Sequence, residues 1–304
     1  MEQWMRSVLL SLAKNRAANR WAKRYGLRLG ARRFVAGETI DEAIRAVAQL
    51  NRQGMTATLD HLGEFVGDER EARQAAEECV AALTAIHRAG VDSTLSVKLT
   101  QLGLDIDREL CLENMRRILG HARDLGIRVT IDMEDYPRCQ ATLDLFDILR
   151  AEYDNVGTVI QAYLYRSLED VLRLSADGVH LRIVKGAYKE PPEVAYPDKA
   201  DVDANYIKLM EAQLLSPGFT AVATHDERII EHAKRFIAEH GIARDRYEFQ
   251  MLYGIRTQLQ QQLVRDGYPL RLYVPYGNDW YGYFMRRLAE RPANVWFVLR
   301  GALR

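Results

Sequence analysis

An α/β chain that closes into a (β/α)8 barrel behind a helical arm is what this sequence predicts, and three observations predict it. Eight short apolar runs follow one another from residue 56 onward, and nearly every one ends in a polar or charged residue. Helical patterns fill the gaps, and several of them stop at a glycine just before the next run. Size agrees: 304 residues hold one barrel, which takes about 250, plus an extra segment.

The first segment, residues 1–50, reads as a basic helical arm. Trp4 or Met5, Val8, Leu9 and Leu12 share one helical face. Arg6, Lys14, Arg16, Arg20, Lys23, Arg24, Arg28, Arg32 and Arg33 surround it, and Glu2 is the only acid before Glu38. Such a helix can lie on an anionic membrane surface. Packing against its own domain or a partner subunit is the plainer alternative. Thr39 and Glu42 then form a capping box ahead of a helix over 44–50.

Residues 51–304 are read as the barrel domain, with no second domain. The apolar runs are 56–59 ending at Asp60, 95–97 ending at Lys98, 129–131 ending at Asp132, and 156–160 ending at Gln161. Next come 179–181 leading to Arg182 and Lys185, then 220–223 with Thr224 and His225. The last two are 247–249 with Gln250 and 270–272 with Tyr273. Helices are expected over 68–89, 107–125, 167–176, 226–240 and 257–266, ahead of Gly90, Gly126, Gly178, Gly241 and Gly267. Glycine past a helix end supplies the left-handed conformation there, and helix–Gly–strand repetition marks parallel α/β units. Pro191, Pro192 and Pro197 mark an extended loop over 189–199. An open doubly wound sheet fits the same alternation, but eight strands favour closure, and no GxGxxG follows the first of them.

Composition narrows the function. Formal net charge is zero and 48% of residues are hydrophobic, so there is no polyelectrolyte footprint for nucleic acid. No stretch reaches the roughly 20 apolar residues of a membrane span. Three scattered cysteines, Cys79, Cys111 and Cys139, suggest reduced thiols and a cytoplasmic protein. His180, His232 and His240 form no zinc spacing with His225, so no metal is expected.

Barrel enzymes build their sites at the carboxyl ends of the strands. That mouth would collect Asp60, Glu64, Lys98, Asp132, Glu134, Gln161, Arg182, Lys185, His225 and Tyr273. Each alone reads as a solvated rim residue; together, under closure, they read as a site. The segment from Tyr273 to Glu290 adds aromatics and the pair Arg286-Arg287, forked donors for a carboxylate or phosphate. On a helix starting near Asn278, Glu290 lies three residues from Arg287 and can orient it.

Several stretches together resemble the proline dehydrogenase family, in its compact bacterial monofunctional form. They are Ser96–Thr100 (SVKLT), Thr130–Asp135 (TIDMED), Ile160–Tyr163 (IQAY), Leu181–Tyr188 (LRIVKGAY), Thr224-His225, Glu248–Gly254 (EFQMLYG) and Tyr273 through Arg286, Arg287 and Glu290. The resemblance implies a distorted (β/α)8 barrel that holds FAD noncovalently and oxidises L-proline to Δ1-pyrroline-5-carboxylate. It places Arg182 beside flavin N5, and Met133, Gln161, Lys185, Gly186, Ala187, Thr224 and His225 against FAD. It gives the substrate carboxylate to Lys98, Arg286 and Arg287, and puts Asp132 at the catalytic centre. Glu64, Leu252, Tyr273, Tyr283 and Glu290 would line or brace the substrate pocket. Thr100 departs from the Ser of many relatives, and the connection from Gly277 to Tyr283 is short. Electrons would pass to a quinone, with the arm in peripheral contact with the inner face of a membrane. Two other readings use the same residues: a Schiff-base enzyme working through Lys98 or Lys185, and a catalytically silent barrel that binds an anionic ligand.

Overall fold

The computed structural model describes residues 33–63 and 66–290, with only the backbone for 286–290. The arm up to residue 32 lies outside the described residues, as does Glu64.

All eight runs are strands: β1 Thr56–His61, β2 Ser93–Val97, β3 Val129–Ile131, β4 Val156–Gln161, β5 Leu181–Val184, β6 Thr220–Ala223, β7 Tyr247–Leu252 and β8 Leu270–Tyr276. They pair in parallel in sequence order and close, β8 returning onto β1 with Thr58 opposite Tyr273. Closure rules out the open doubly wound sheet. The helices between them are α1 Ile40–Arg52, α2 Glu69–Ala89, α3 Arg108–Asp124, α4 Tyr136–Glu152, α5 Ser167–Ala176, α6 Lys199–Leu215, α7 Glu227–Glu239, α8 Thr257–Arg265 and α9 Trp280–Glu290.

Local chemistry explains the boundaries. The capping box at Thr39 is present, with Glu42 N donating to Thr39 Oγ1 and Thr39 N to Glu42 Oε2. It starts α1 at Ile40, four residues before the expected helix. That helix buries Ala43, Val47 and Leu50 against the core. Asp68, Asp107 and Asp226 cap α2, α3 and α7 by accepting backbone N–H groups. Helices α4 and α6 end at Tyr153 and Ser216 rather than at glycine, so they lack the stop signal that marks the others.

Several strands run further than expected, β1 to His61 and β4 to Gln161 among them. Arg182 is the second residue of β5, Gln250 lies inside β7 and Tyr273 inside β8. An apolar run stops at the first polar side chain, but a strand does not when that side chain points into the barrel. The barrel interior here is partly polar: Thr58 Oγ1 and Ser96 Oγ pair at 3.2 Å, both fully within it.

A second, small apolar cluster sits apart from the main core. It joins Phe34, Val35 and Leu62 to Trp280, Tyr281, Tyr283, Phe284 and Met285 of α9. Trp280 Nε1 donates to Glu38 Oε1 at 3.2 Å, and Gly277 N to Gly37 O at 3.0 Å. The helix thus starts at Trp280, just after the expected Asn278. All three cysteines are buried thiols. Among the described residues no helix is long and apolar enough to cross a membrane.

Candidate active site

Strand ends set out the site. Asp132 follows β3, Lys98 follows β2, Asp60 is the last residue but one of β1, and Arg182 and Tyr273 point inward from β5 and β8. Arg182 Nη1 donates to Asp132 Oδ1 at 2.6 Å and Nη2 to Ser96 Oγ at 2.9 Å. Tyr273 OH donates to Asp132 Oδ2 at 2.6 Å. Lys98 Nζ donates to Asp60 Oδ1 at 3.0 Å and to Tyr273 OH at 3.4 Å. The Arg182 guanidinium also lies 5.5 Å from the centre of the Tyr273 ring, within cation–π range. Six side chains from five strands or strand ends therefore form one continuous network.

Burial sharpens it. Asp60 is only 1% exposed, and its carboxyl is pushed above the ordinary carboxylate range by burial, against the pull of Lys98. The Tyr273 phenol is raised well above its ordinary value by burial and by Asp132, so it stays a proton donor. Asp60 Oδ2 and Arg182 Nε are buried and have no hydrogen-bond partner among the described residues.

The network forms one wall of a cavity of about 750 Å³, within the roughly 300–1,000 Å³ of small-molecule and cofactor sites. Lys98, Asp132, Met133, Gln161, Arg182, Lys185, Gly186, Ala187, Thr224, His225, Leu252, Tyr273 and Tyr283 all line it. The structure thus brings together thirteen of the residues singled out in the sequence. Arg286, Arg287 and Glu290 lie on α9, the helix that also carries Tyr283; their side chains are outside the described residues, as is Glu64.

Glu134 is a correction. It does not line the cavity. It is buried, its two oxygens accept Thr100 N at 3.0 Å and Thr100 Oγ1 at 2.6 Å, and its carbonyl accepts Gln161 Nε2. Its role is to hold the turn after β2, and Thr100 supplies the hydroxyl that a Ser would supply.

Lys185 also differs from a bare cation at a strand end. Its Nζ donates to Asp203 Oδ1 at 2.5 Å and Asp226 Oδ2 at 2.8 Å, and Lys199 joins both carboxylates. Burial would raise these two carboxyls, but the lysines outweigh it and hold both below the usual range. Gly186 beside it has φ +116°, and a Cβ there would lie 2.3 Å from the Tyr163 ring, so only glycine fits. Leu252 N donates to His225 Nε2 at 3.0 Å. A backbone N–H can only donate, so that nitrogen is an acceptor and not protonated. Among the described residues no group of His, Cys, Asp and Glu could hold a metal ion.

Sequence reasoning missed Lys199, Asp203, Arg228 and Arg256, which sit at or beside the cavity on helix starts and loops. Nothing in an apolar-run pattern marks such positions. Charged residues just ahead of or within a first helical turn were the only signal.

Comparison with known proteins agrees with this picture. The family model described as proline dehydrogenase matches residues 43–300. The chain is 52% identical over 300 residues to Proline dehydrogenase 1 of Bacillus subtilis subsp. natto, covering 99% of each. It is 46% identical over 309 residues to Proline dehydrogenase of Deinococcus radiodurans, covering 100% of this chain and 99% of that one. The crystal structure of proline utilization A from Bdellovibrio bacteriovorus inactivated by N-propargylglycine superposes with a TM-score of 0.81 at 29% identity. That match spans 86% of this chain and 32% of that much longer one. With its closed parallel barrel, and with relatives about half identical along their whole length, the chain belongs to the proline dehydrogenase family.

Proposed function

We propose that this enzyme oxidises L-proline to Δ1-pyrroline-5-carboxylate with noncovalently held FAD, and that a quinone is the final acceptor. The observation that carries the reading is the network of Arg182, Asp132, Tyr273, Lys98 and Asp60 in the cavity wall. The donor set suits the cofactor. Lys199 and Arg228 offer cations for a diphosphate, and Met133, Val159, Val184 and Leu252 offer apolar walls for flat rings. Met133, Gln161, Lys185, Gly186, Ala187, Thr224 and His225 would hold it. When bound, FAD supplies the electron sink, accepting hydride from a ring carbon of proline.

The chain's own residues bind, orient and balance charge. Lys98, Arg286 and Arg287 would take the proline carboxylate as a handle, which leaves the ring free to be aligned. Asp60 holds Lys98 in place, while Leu252, Tyr283 and the Tyr273 face would wall in a small ring, and Glu64 and Glu290 are assigned to line or brace the pocket. Arg182 would sit where negative charge develops on reduction, a preorganised cation in a site of low dielectric. Asp132 is assigned to organise rather than to abstract a proton. Its Oδ1 is committed to Arg182 and its Oδ2 to Tyr273, so neither oxygen is poised for the substrate amine. The Schiff-base alternative is disfavoured because Lys98 and Lys185 are each tied to carboxylates by hydrogen bonds.

A visible absorption spectrum tests the reading. The purified protein should be yellow and should bleach on anaerobic addition of proline. A colourless protein that FAD cannot reconstitute would overturn it. The basic arm, residues 1–50, is proposed to give a peripheral membrane contact. Full-length protein should sediment with anionic liposomes and arm-truncated protein should not; equal soluble fractions would remove this part.

A further inference from the structure

Arg256 is the one non-glycine residue with positive φ among the described residues, at φ 55° and ψ 47°. It precedes α8 and lines the cavity. L-residues other than Asn and Asp rarely adopt this conformation, and glycine would adopt it without cost. Something other than the turn keeps an arginine there.

The guanidinium supplies the reason. Nη1 donates to the carbonyl of His225 at 3.0 Å, and the same side chain pairs with Glu227. The His225 carbonyl belongs to the loop between β6 and α7, and Glu227 is the first residue of α7. The His225 ring in turn accepts the N–H of Leu252, the last residue of β7. Strand β6 ends at Ala223, and beyond Thr224 N donating to Gln250 O at 3.2 Å no strand carbonyl remains for Leu252. The imidazole takes that place. Two loops are thereby tied across the mouth in both directions: β7 to His225 through the ring, and the β7–α8 loop to His225 through Arg256.

We propose that Arg256 is a positioning residue, fastening the loop of Thr224 and His225 to the strand end of Leu252 so that two walls of the cavity keep one geometry. The inference rests on the reading above in which one wall faces cofactor and the other substrate. Arg256 then acts on both without touching either through chemistry of its own. Neighbouring contacts stiffen the same turn. Gln260 Nε2 donates to the carbonyls of Leu252 at 3.0 Å and Ile255 at 2.7 Å. Gly254, at φ +71°, lies so close to the carbonyl of Arg33 that no side chain fits.

The test compares Arg256→Gly and Arg256→Lys with the unaltered full chain. Glycine suits the backbone conformation, so Arg256→Gly folds and removes only the clamp; Arg256→Lys keeps the charge but not the fork. Three quantities are read: hydrogen exchange at the Leu252 amide, FAD affinity by fluorescence titration, and KM against kcat for proline. In Arg256→Gly the Leu252 amide should lose protection by about ten- to hundredfold, the worth of a charged hydrogen bond, while Leu59 in β1 keeps its protection. FAD affinity should weaken by about tenfold or more, KM for proline should rise, and Arg256→Lys should fall between. Leu252 protection and FAD affinity equal to the unaltered protein in Arg256→Gly would overturn the proposal. Unaltered protein that takes up no FAD would sink the flavin reading instead, and the exchange result, which needs no flavin, would still decide the clamp.

Discussion

Two buried ion pairs share the barrel interior, one toward each end of the strands. Toward the amino ends, Arg271 on β8 meets Glu248 on β7, with Nε 2.8 and 3.1 Å from the two oxygens. Arg271 Nη1 reaches Ala57 O at 2.6 Å and Gln250 Nε2 reaches Glu248 Oε1 at 2.6 Å. Among the described residues neither partner leaves a buried polar atom unsatisfied. Toward the carboxyl ends, the Arg182–Asp132 pair is shorter still, at 2.6 Å. It is extended by Lys98 and Asp60, it borders a cavity, and Arg182 Nε and Asp60 Oδ2 have no partner among the described residues. Two short ion pairs thus serve different purposes. A closed pair holds strands together; an open one keeps interaction capacity for something that enters.

Cutting each pair tests the contrast, and Arg182→Met should do most. It strands Asp132 in the interior, a change that costs about 3–5 kcal/mol of stability. It also removes the cation assigned to developing charge, for a loss of about 10²–10³ in kcat. Thermal melts and steady-state kinetics with proline read both. Arg271→Met should match it in stability, since Glu248 is stranded the same way, at about 3–5 kcal/mol. Its surviving folded fraction should keep the KM of the parent. A matching loss of turnover per folded molecule would erase the distinction between the pairs.

Tyr273→Phe probes the open pair more gently. It keeps the ring and deletes the donor to Asp132, worth about 1.5–3 kcal/mol for a bond to a charged group. Proline kinetics should suffer, while melting of the barrel shifts by less than in Arg182→Met. The smallest effect concerns the cysteines, which touch neither pair. Burial pushes the thiols of Cys79 and Cys111 up to about 12 and that of Cys139 to about 11, from 9.0. A raised folded value means that the unfolded chain gives up its proton first. Their contribution is therefore complete below pH 9 and lost as pH rises toward 11–12. Iodoacetamide at pH 8 should leave the native thiols unmodified and label them after denaturation, as counted by mass; rapid native labelling would contradict their burial.

Much of this arrangement was legible in the sequence because strands end where apolar runs end. Lys98, Asp132 and Gln161 stand at such ends, and a barrel gathers them at one mouth. Arg182 and Tyr273 belonged to the same mouth, but their strands continue through them, because an inward polar side chain is tolerated where neighbouring strands supply partners. Asp60 was visible as a strand-end acid. Its grip on Lys98 depends on β1 lying beside β2, which no local pattern states. Glu134 misled for the converse reason: a strand-end acid that turns back to hold Thr100. Asp203 and Arg256 lie where helices begin and reach Lys185 and His225, 18 and 31 residues away in the chain, beyond any short spacing rule; Lys199 pairs with Asp203 at i,i+4, a spacing common on solvated helix faces.

The small cluster that seats α9 has a thermodynamic consequence. Phe34, Val35 and Leu62 on one side and Trp280, Phe284 and Met285 on the other form an island outside the main core. Cooperative units in a native protein follow such divisions. The helix that bears Arg286 and Arg287 is therefore expected to open more readily than the eight paired strands, held as it is by this island and by the Trp280–Glu38 bond.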